Sequence, residues 1–191
     1  MYLRIRRTDG KTGVYRQEID RRRAMLHDRF NPDTMFRSGP IVIGTHNPLS
    51  ILNPDEVCWV EVETTGQTAK SMPDNVEQIR KLSGREEYES LLARQWPLWT
   101  KHAKKSPGNL LEAFVELSFR GGDALFLHVA GYVSDTSLVD SIFGLPAVTA
   151  TYDPDGTVFI NPKCIVRARV YHSKDQIAYP NGIWVAEADD I

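Results

Sequence analysis

Three acidic residues near position 60 are the ones in this chain whose types and spacing best suit catalysis. Asp55 follows Pro54 and opens an alternating segment, in which Glu61 and Glu63 fall on one face of a strand. Carboxylate oxygens bind hard divalent cations, and a cation held there could activate water for hydrolysis. A solvated acidic edge explains the same residues, and the nuclease pattern has a lysine where Glu63 stands. A metal-dependent hydrolase or nuclease is therefore the third of three functional hypotheses.

The other residues capable of chemistry form no known motif. None of the five histidines has a partner at the spacing of a helical metal site, and Cys58 and Cys164 lack C-x-x-C partners. The chain contains no G-x-S-x-G, P-loop or G-x-G-x-x-G sequence. From the sequence we expect no catalytic residue, no bound metal and no cofactor, in a protein that is not an enzyme.

The N-terminal segment is strongly basic, although the whole chain has a formal net charge of −2. Residues 1–40 contain ten Lys or Arg residues and five Asp or Glu residues, and nine of the ten cations are arginine. Arginine suits bidentate contacts with carboxylates and phosphates. The segment either folds back on the acidic remainder of the chain or forms a surface that binds a partner. The candidate contact residues are Arg16, Arg21, Arg22, Arg23 and Arg29.

Two tryptophans form a second candidate contact. Trp96 and Trp99 lie three residues apart in a predicted helix, and a basic stretch over residues 101–105 follows them. Such a cluster could stack nucleic-acid bases or form a protein-binding hot spot. The alternative is that both tryptophans are core anchors, and that the lysines are solvated at the helix C-terminus.

These features favour a non-enzymatic adaptor or accessory subunit that binds another protein through its arginine-rich segment. An RNA- or DNA-binding accessory protein that uses the same arginines is the alternative. We expect a cytoplasmic protein without membrane segments, because no apolar run approaches about 20 residues and the N-terminus lacks a signal peptide. Two cysteines are too few for a disulfide framework.

The pattern of strands and helices along the chain predicts a single α+β domain over residues 1–191, and this domain would position the candidate residues. Short strands of an antiparallel or mixed sheet would pack against three to four helices. Residues 1–40 would form a basic hairpin and a helix over residues 17–30, residues 74–119 a helical insertion, and residues 123–191 a β-rich part. The firmest helix prediction covers residues 106–118, because Ser106-Pro107 is a typical helix start and an apolar stripe at helical spacing follows it.

A short internal repeat suggests a duplicated strand-Asn-Pro-strand module with a helical insertion between the copies. Ile51-Leu52-Asn53-Pro54 and Phe159-Ile160-Asn161-Pro162 each precede an alternating strand. Asparagine caps a tight turn and proline fixes φ, so the pair joins two strands sharply. If the two following strands are neighbours, Glu61 and Glu63 would face Arg167 and Arg169 across the sheet.

The second copy, together with Gly156 and the Asn181-Gly182 pair, locally resembles the short flagellar proteins of the FlbD type. The resemblance covers a small part of the chain. It implies a shared turn and no catalytic residue.

Overall fold

A computed structural model describes residues 1–19, 23, 30–37, 39–44, 49–63, 68–102, 110–134, 137–152 and 156–173. The predicted helix over residues 17–30 lies largely outside these ranges, and residues 174–191 of the predicted β-rich part lie wholly outside them.

Nine strands form one mixed sheet, and two more form a separate hairpin. The strands are β1 (Tyr2–Arg7), β2 (Thr12–Arg16), β3 (Ile41–Gly44), β4 (Leu49–Leu52), β5 (Val57–Glu63), β6 (Val76–Lys81), β7 (Leu110–Phe119), β8 (Ala124–Tyr132), β9 (Val148–Tyr152), β10 (Gly156–Ile160) and β11 (Ile165–His172). The large sheet has the order β11-β7-β8-β6-β9-β10-β5-β1-β2, and β3 pairs only with β4. All neighbours are antiparallel except β6 and β9, which are parallel.

The α+β prediction is wrong, because the described part of the chain is mainly β: 49% of it is strand and 20% is helix. The described residues contain two α-helices, α1 (Arg85–His102) and α2 (Leu138–Gly144), instead of the expected three to four. The segment 74–119 is not a helical insertion, since it contains β6, α1 and β7. In these residues, no helix is long and apolar enough to cross a membrane.

The firmest helix prediction, over residues 106–118, is wrong, because residues 110–118 belong to β7, the second strand in the sheet order. One side of this strand buries Ala113 and Val115, and the other buries Phe114, which packs under α1. A strand covered on both faces carries an almost continuous apolar run, and such a run also fits helical spacing. Tertiary burial therefore decided the conformation of this segment.

The large sheet curls, so that strands far apart in its order come into contact. β5 and β7 are separated by four intervening strands, which would hold them about 24 Å apart in a flat sheet. The rings of Trp59 on β5 and Phe119 on β7 are nevertheless 5.0 Å apart. The concave face encloses the largest core cluster, to which β5 to β11 and α2 all contribute.

The turn between β7 and β8 also meets the turn between β1 and β2. Arg6 on β1 forms an ion pair with Asp123, with a 2.6 Å bond from Nε to Oδ2. Gly121 in the same turn has φ +87° and lies so close to Thr8 that a Cβ atom would clash with the Thr8 carbonyl oxygen. Glycine at this position thus permits the two turns to pack together.

α1 contains Trp96 and Trp99, as the sequence predicted. α1 covers the convex face of the sheet through Tyr88 and Trp99, which pack on Phe114 and Phe126. α2 is capped by Ser137, whose hydroxyl accepts a hydrogen bond from the Asp140 amide.

The two Asn-Pro sequences form matching turns that contact each other. Each begins a single 3₁₀ turn, in which the asparagine side chain accepts a hydrogen bond from the amide two residues later. The Asn161 amide also donates to the carbonyl oxygens of Pro54 and Val57, at 3.0 Å each. The strands that follow are not neighbours, since β5 lies between β10 and β1 and β11 is at the sheet edge. Glu61 and Glu63 therefore do not face Arg167 and Arg169, and the prediction of charge pairs between them is wrong.

Cys58 and Cys164 lie beside these turns, and both are buried. The Cys164 thiol donates to the carbonyl oxygens of Asp55 and Val57, at 3.3 and 3.4 Å. A hydrogen bond with Cys164, together with burial, raises the pKa of the Cys58 thiol. Cys58 therefore stays protonated at neutral pH and packs as a small apolar side chain.

Candidate functional site

The hairpin of β1 and β2 presents an exposed face of mixed character, which we call the ribbon face: Tyr2, Arg4, Val14 and Arg16. In the antiparallel register Tyr2 lies opposite Arg16, and Arg4 opposite Val14. Tyr2 is 40% exposed and Val14 62% exposed. The sequence forms this face because the alternating partners Leu3 and Ile5 point to the other side and are buried there. The result is a patch of two cations and two large apolar residues. Half of it lies on β1 and half on β2, which is an edge strand of the sheet.

Arg16 is the predicted contact residue that the structure describes most fully. Its side chain is 61% exposed, lies over the Tyr2 ring with 5.3 Å to the ring centroid, and forms a 2.7 Å ion pair with Glu18. Glu18 is itself 66% exposed. Exposed ion pairs contribute about 0–1 kcal/mol, so a carboxylate from another molecule can replace Glu18 at little cost.

The other described arginines before Arg16 are largely neutralised within the chain. Three of them form ion pairs with carboxylates: Arg4 with Glu61 and Glu63, Arg6 with Asp123, and Arg7 with Asp9. The partners of Arg4 and Arg6 belong to the acidic remainder of the chain, whereas Arg7 pairs within the N-terminal segment.

Arg23 lies near the same end of the ribbon as Arg16. Its Nε donates a 3.0 Å hydrogen bond to the Gln17 carbonyl oxygen, and the Gln17 amide bonds to the Met1 carbonyl oxygen. The predicted contact residues Arg21, Arg22 and Arg29 lie outside the described residues.

The two tryptophans have different environments, and neither belongs to the ribbon. Trp99 is 9% exposed and stacks on Phe114 with 5.5 Å between ring centroids, so it is a core anchor. Trp96 is 42% exposed and packs edge-to-face on Tyr171 of β11. β11 and β2 are the two opposite edges of the sheet order. The structure therefore joins Trp96 to β11 and not to the arginine-rich face.

Beside the ribbon face and on the same side of the sheet, Glu61 is the centre of a largely buried polar network. Its carboxylate is 3.0 Å from Lys81 Nζ and 3.5 Å from Arg4 Nη1, and it accepts a 3.3 Å hydrogen bond from the Trp59 indole N–H. The side chains of Glu61 and Lys81 are only 11% and 19% exposed. This network joins β1, β5 and β6 across the concave face of the sheet.

Tyr152 extends this network. The Lys81 ammonium lies 5.0 Å from the centroid of the Tyr152 ring, which covers the backbone of Gly156. Burial, followed by the charges of Glu61 and Glu63, raises the pKa of the Tyr152 hydroxyl, which therefore remains protonated at neutral pH.

Sequence reasoning did not associate Lys81 or Tyr152 with Glu61, because their contact depends on the curl of the sheet. One signal was available: Arg4 and Arg6 alternate with apolar residues in the same way as Glu61 and Glu63 do. Pairing of two such strands brings opposite charges together.

The structure does not assemble the proposed metal ligands. Asp55 lies in the turn before β5, where its carboxylate is 3.1 Å from Lys163 Nζ, and Glu61 and Glu63 contact Arg4 farther along the strand. Among the described residues, no group of three His, Cys, Asp or Glu side chains is arranged to hold a metal ion.

Comparisons of this chain with protein-family models, with curated proteins and with solved structures find no match. The functional argument therefore depends on the site itself.

Proposed function

We propose that the protein is a non-enzymatic adaptor or accessory subunit that binds an acidic, extended segment of a partner protein at the ribbon face. The observation that carries this proposal is the position of Val14 and Arg16, both more than 60% exposed, on the edge strand β2. In the described part of the chain, β2 has a neighbouring strand on one side only.

An edge strand offers unpaired backbone N–H and C=O groups to an incoming extended segment. Side chains of that segment that point to the ribbon face would contact Tyr2 and Val14 through aliphatic atoms. A carboxylate on the same side would replace Glu18 at Arg16. The backbone bonds give affinity, and the alternation of acidic and aliphatic side chains gives specificity.

The internal ion pairs favour a protein partner over a nucleic acid. Binding of a phosphate backbone needs many free cations, and each neutralised phosphate contributes to the salt dependence of affinity. Arg4, Arg6 and Arg7 already contact carboxylates. A peptide with a single carboxylate needs only Arg16, whose present partner Glu18 is itself exposed.

A labelled hexapeptide with alternating Glu and Val tests the proposal directly. We expect its fluorescence anisotropy to rise on titration with the protein, and we expect the matching Lys-Val peptide to give no change. Arg16→Glu and Val14→Glu should each weaken binding at least tenfold. Arg167→Glu is the matched control, because Arg167 is exposed on the opposite edge strand and should leave binding unchanged.

Equal binding of the acidic and basic peptides, or an equal loss in Arg16→Glu and Arg167→Glu, would contradict the proposal. Tighter binding of a single-stranded oligonucleotide than of the acidic peptide, with a steep salt dependence, would establish the nucleic-acid alternative instead.

A further inference from the structure

The hydrogen bonds at one end of the ribbon show which backbone groups of β2 face its open edge. The Gln17 amide donates to the Met1 carbonyl oxygen at 3.1 Å, and the Met1 amino group donates to the Gln17 carbonyl oxygen at 3.4 Å. Met1 and Gln17 are therefore a hydrogen-bonded pair, and such pairs alternate along an antiparallel ladder with pairs that exchange no bonds. In this register the residues of β2 without backbone bonds to β1 are Thr12, Val14 and Arg16.

These three residues of β2 combine two properties. Their N–H and C=O groups point away from β1, to the side where the described part of the chain places no further strand. Their side chains lie on the same side of the sheet as the ribbon face, because residues two apart in a strand point the same way. Consistent with this, the Arg6 guanidinium donates to the Thr12 hydroxyl at 2.8 Å. An incoming strand therefore meets the open backbone groups and the exposed side chains at the same three residues.

We infer that the partner segment pairs antiparallel with β2 and carries, from its N-terminus to its C-terminus, the motif acidic-x-aliphatic, an assignment that rests on the proposed function. The acidic residue lies directly opposite Arg16, where its carboxylate replaces that of Glu18. The aliphatic residue follows two positions later and lies opposite Val14, because the two strands run in opposite directions. The residue between them points to the other face of the sheet and does not contact the ribbon face.

Bond geometry and the rest of the sheet both favour the antiparallel direction. Each outward-facing residue of β2 can exchange both of its bonds with the one residue opposite, whereas parallel pairing makes slanted bonds to two flanking residues and is slightly less stable. Among the described strands of the large sheet, only β6 and β9 are parallel, and their register joins one pair of residues, Arg80 and Thr151. Every other pair of neighbours in that sheet is antiparallel.

Two labelled hexapeptides of identical composition, with acetylated and amidated ends, test the motif. The first, Thr-Glu-Thr-Val-Thr-Thr, has the acidic residue two positions before the aliphatic one, and the second, Thr-Val-Thr-Glu-Thr-Thr, has the reverse order. In anisotropy titrations with the full chain, we expect the first peptide to bind about tenfold more tightly. Only this peptide can place its Glu opposite Arg16 and its Val opposite Val14 at the same time in an antiparallel pair.

Methylation of single peptide amides tests the direction of the strands. In the antiparallel arrangement the Glu and Val amides of the first peptide bond to β2, and the amide of the Thr between them points away. N-methylation of the Glu or of the Val should therefore weaken binding by at least about tenfold, and N-methylation of the intervening Thr should have little effect. Parallel pairing reverses this pattern, because the residues that flank the opposite one then make the bonds.

Val14→Pro tests the same bonds from the side of the protein. Proline removes the outward N–H of residue 14, which makes no bond to β1, and proline is tolerated in an edge strand at such a position. The variant should keep the circular dichroism spectrum of the unaltered protein and bind the first peptide at least about tenfold more weakly than Val14→Ala does. Equal binding by the two variants would contradict the predicted backbone pairing.

The outcomes distinguish failure of the motif from failure of the proposed function. If the Glu-Val repeat peptide binds as proposed but the two isomeric peptides bind equally, the assigned motif is wrong and the proposed function stands. The same holds for the assigned direction if only methylation of the intervening Thr weakens binding. If no acidic peptide binds at all, the motif and the proposed function are both wrong.

Discussion

Replacement of Glu61 by glutamine tests whether the polar network beside the ribbon face is a coupled, buried structure. The change keeps the shape of the side chain and removes its charge. Lys81 then keeps an ammonium group that is only 19% exposed and loses the carboxylate at 3.0 Å. The reverse change, Lys81→Met, leaves Glu61 with Arg4 at 3.5 Å and with the indole N–H of Trp59 at 3.3 Å.

The structure predicts that the two substitutions have unequal costs. Removal of one partner from a buried ion pair costs about 3–5 kcal/mol, and the partial exposure of Lys81 reduces this to about 2–3 kcal/mol for Glu61→Gln. Lys81→Met should cost about 1 kcal/mol, because the remaining carboxylate keeps two partners. The double variant should cost less than the sum of the two, with a coupling energy of about 1 kcal/mol.

Urea unfolding monitored by tryptophan fluorescence measures these costs. With a slope of about 2 kcal/mol per molar urea, Glu61→Gln should lower the midpoint by about 1–1.5 M and Lys81→Met by about 0.5 M. Glu18→Gln is the control, since its exposed pair with Arg16 should contribute less than about 1 kcal/mol. Equal midpoints for Glu61→Gln and Glu18→Gln, or a larger effect of Lys81→Met than of Glu61→Gln, would refute the reasoning.

Three further predictions concern packing and pH. Gly121 and Gly122 both have φ +87°, but only Gly121 faces a carbonyl that a Cβ would strike, so Gly121→Ala should cost at least about 2 kcal/mol more than Gly122→Ala in urea unfolding. Trp99→Ala should lower stability by about 3–5 kcal/mol and Trp96→Ala by much less, because only Trp99 is buried; equal losses would contradict this assignment. Burial raises the pKa of Tyr88 to about 12, above its unfolded value of about 10. The folded state then holds the phenolic proton more tightly, so stability should fall as pH rises from about 10 to 12, by about 1.4 kcal/mol at pH 11. Tyr88→Phe should remove this part of the loss, and an unchanged pH profile in the variant would show that Tyr88 is not its source.

Local sequence signals were reliable where one face of an element meets water. The alternation of Leu3 and Ile5 with arginines predicted β1, and the stripe beginning at Tyr88 predicted α1. In both cases the exposed residues reveal the period of the structure. The Asn-Pro turns were predicted for a similar reason, because asparagine capping and the restricted φ of proline act within four residues.

The same reasoning failed where both faces are buried or where the contacts are distant in sequence. β7 was mistaken for a helix, because Phe114 is buried on one side and Val115 on the other. Its two glutamates, Glu112 and Glu116, lie four residues apart, a spacing that also fits one face of a helix. Asp74 and Glu77, at the start of the predicted helical insertion, have the spacing of a capping box, yet pairing with β8 makes the segment from Val76 a strand. Hydrogen bonds and burial supplied by the rest of the sheet outweigh such weak local preferences.

For the candidate site, the sequence by itself determined that the N-terminal segment is basic, that Arg4 and Leu3 point to opposite faces of a strand, and that Glu61 shares a face with Glu63. These properties follow from residue type and from the two-residue period of a strand, which need no knowledge of neighbours. Only the tertiary structure decided which carboxylates neutralise which arginines, and which cations remain exposed. Strand order and the curl of the sheet place Arg4 and Lys81 at Glu61, although the chain separates them by tens of residues, and leave Arg16 at an open edge. That difference arises because electrostatic contacts depend on distance in space, which only the folded sheet defines.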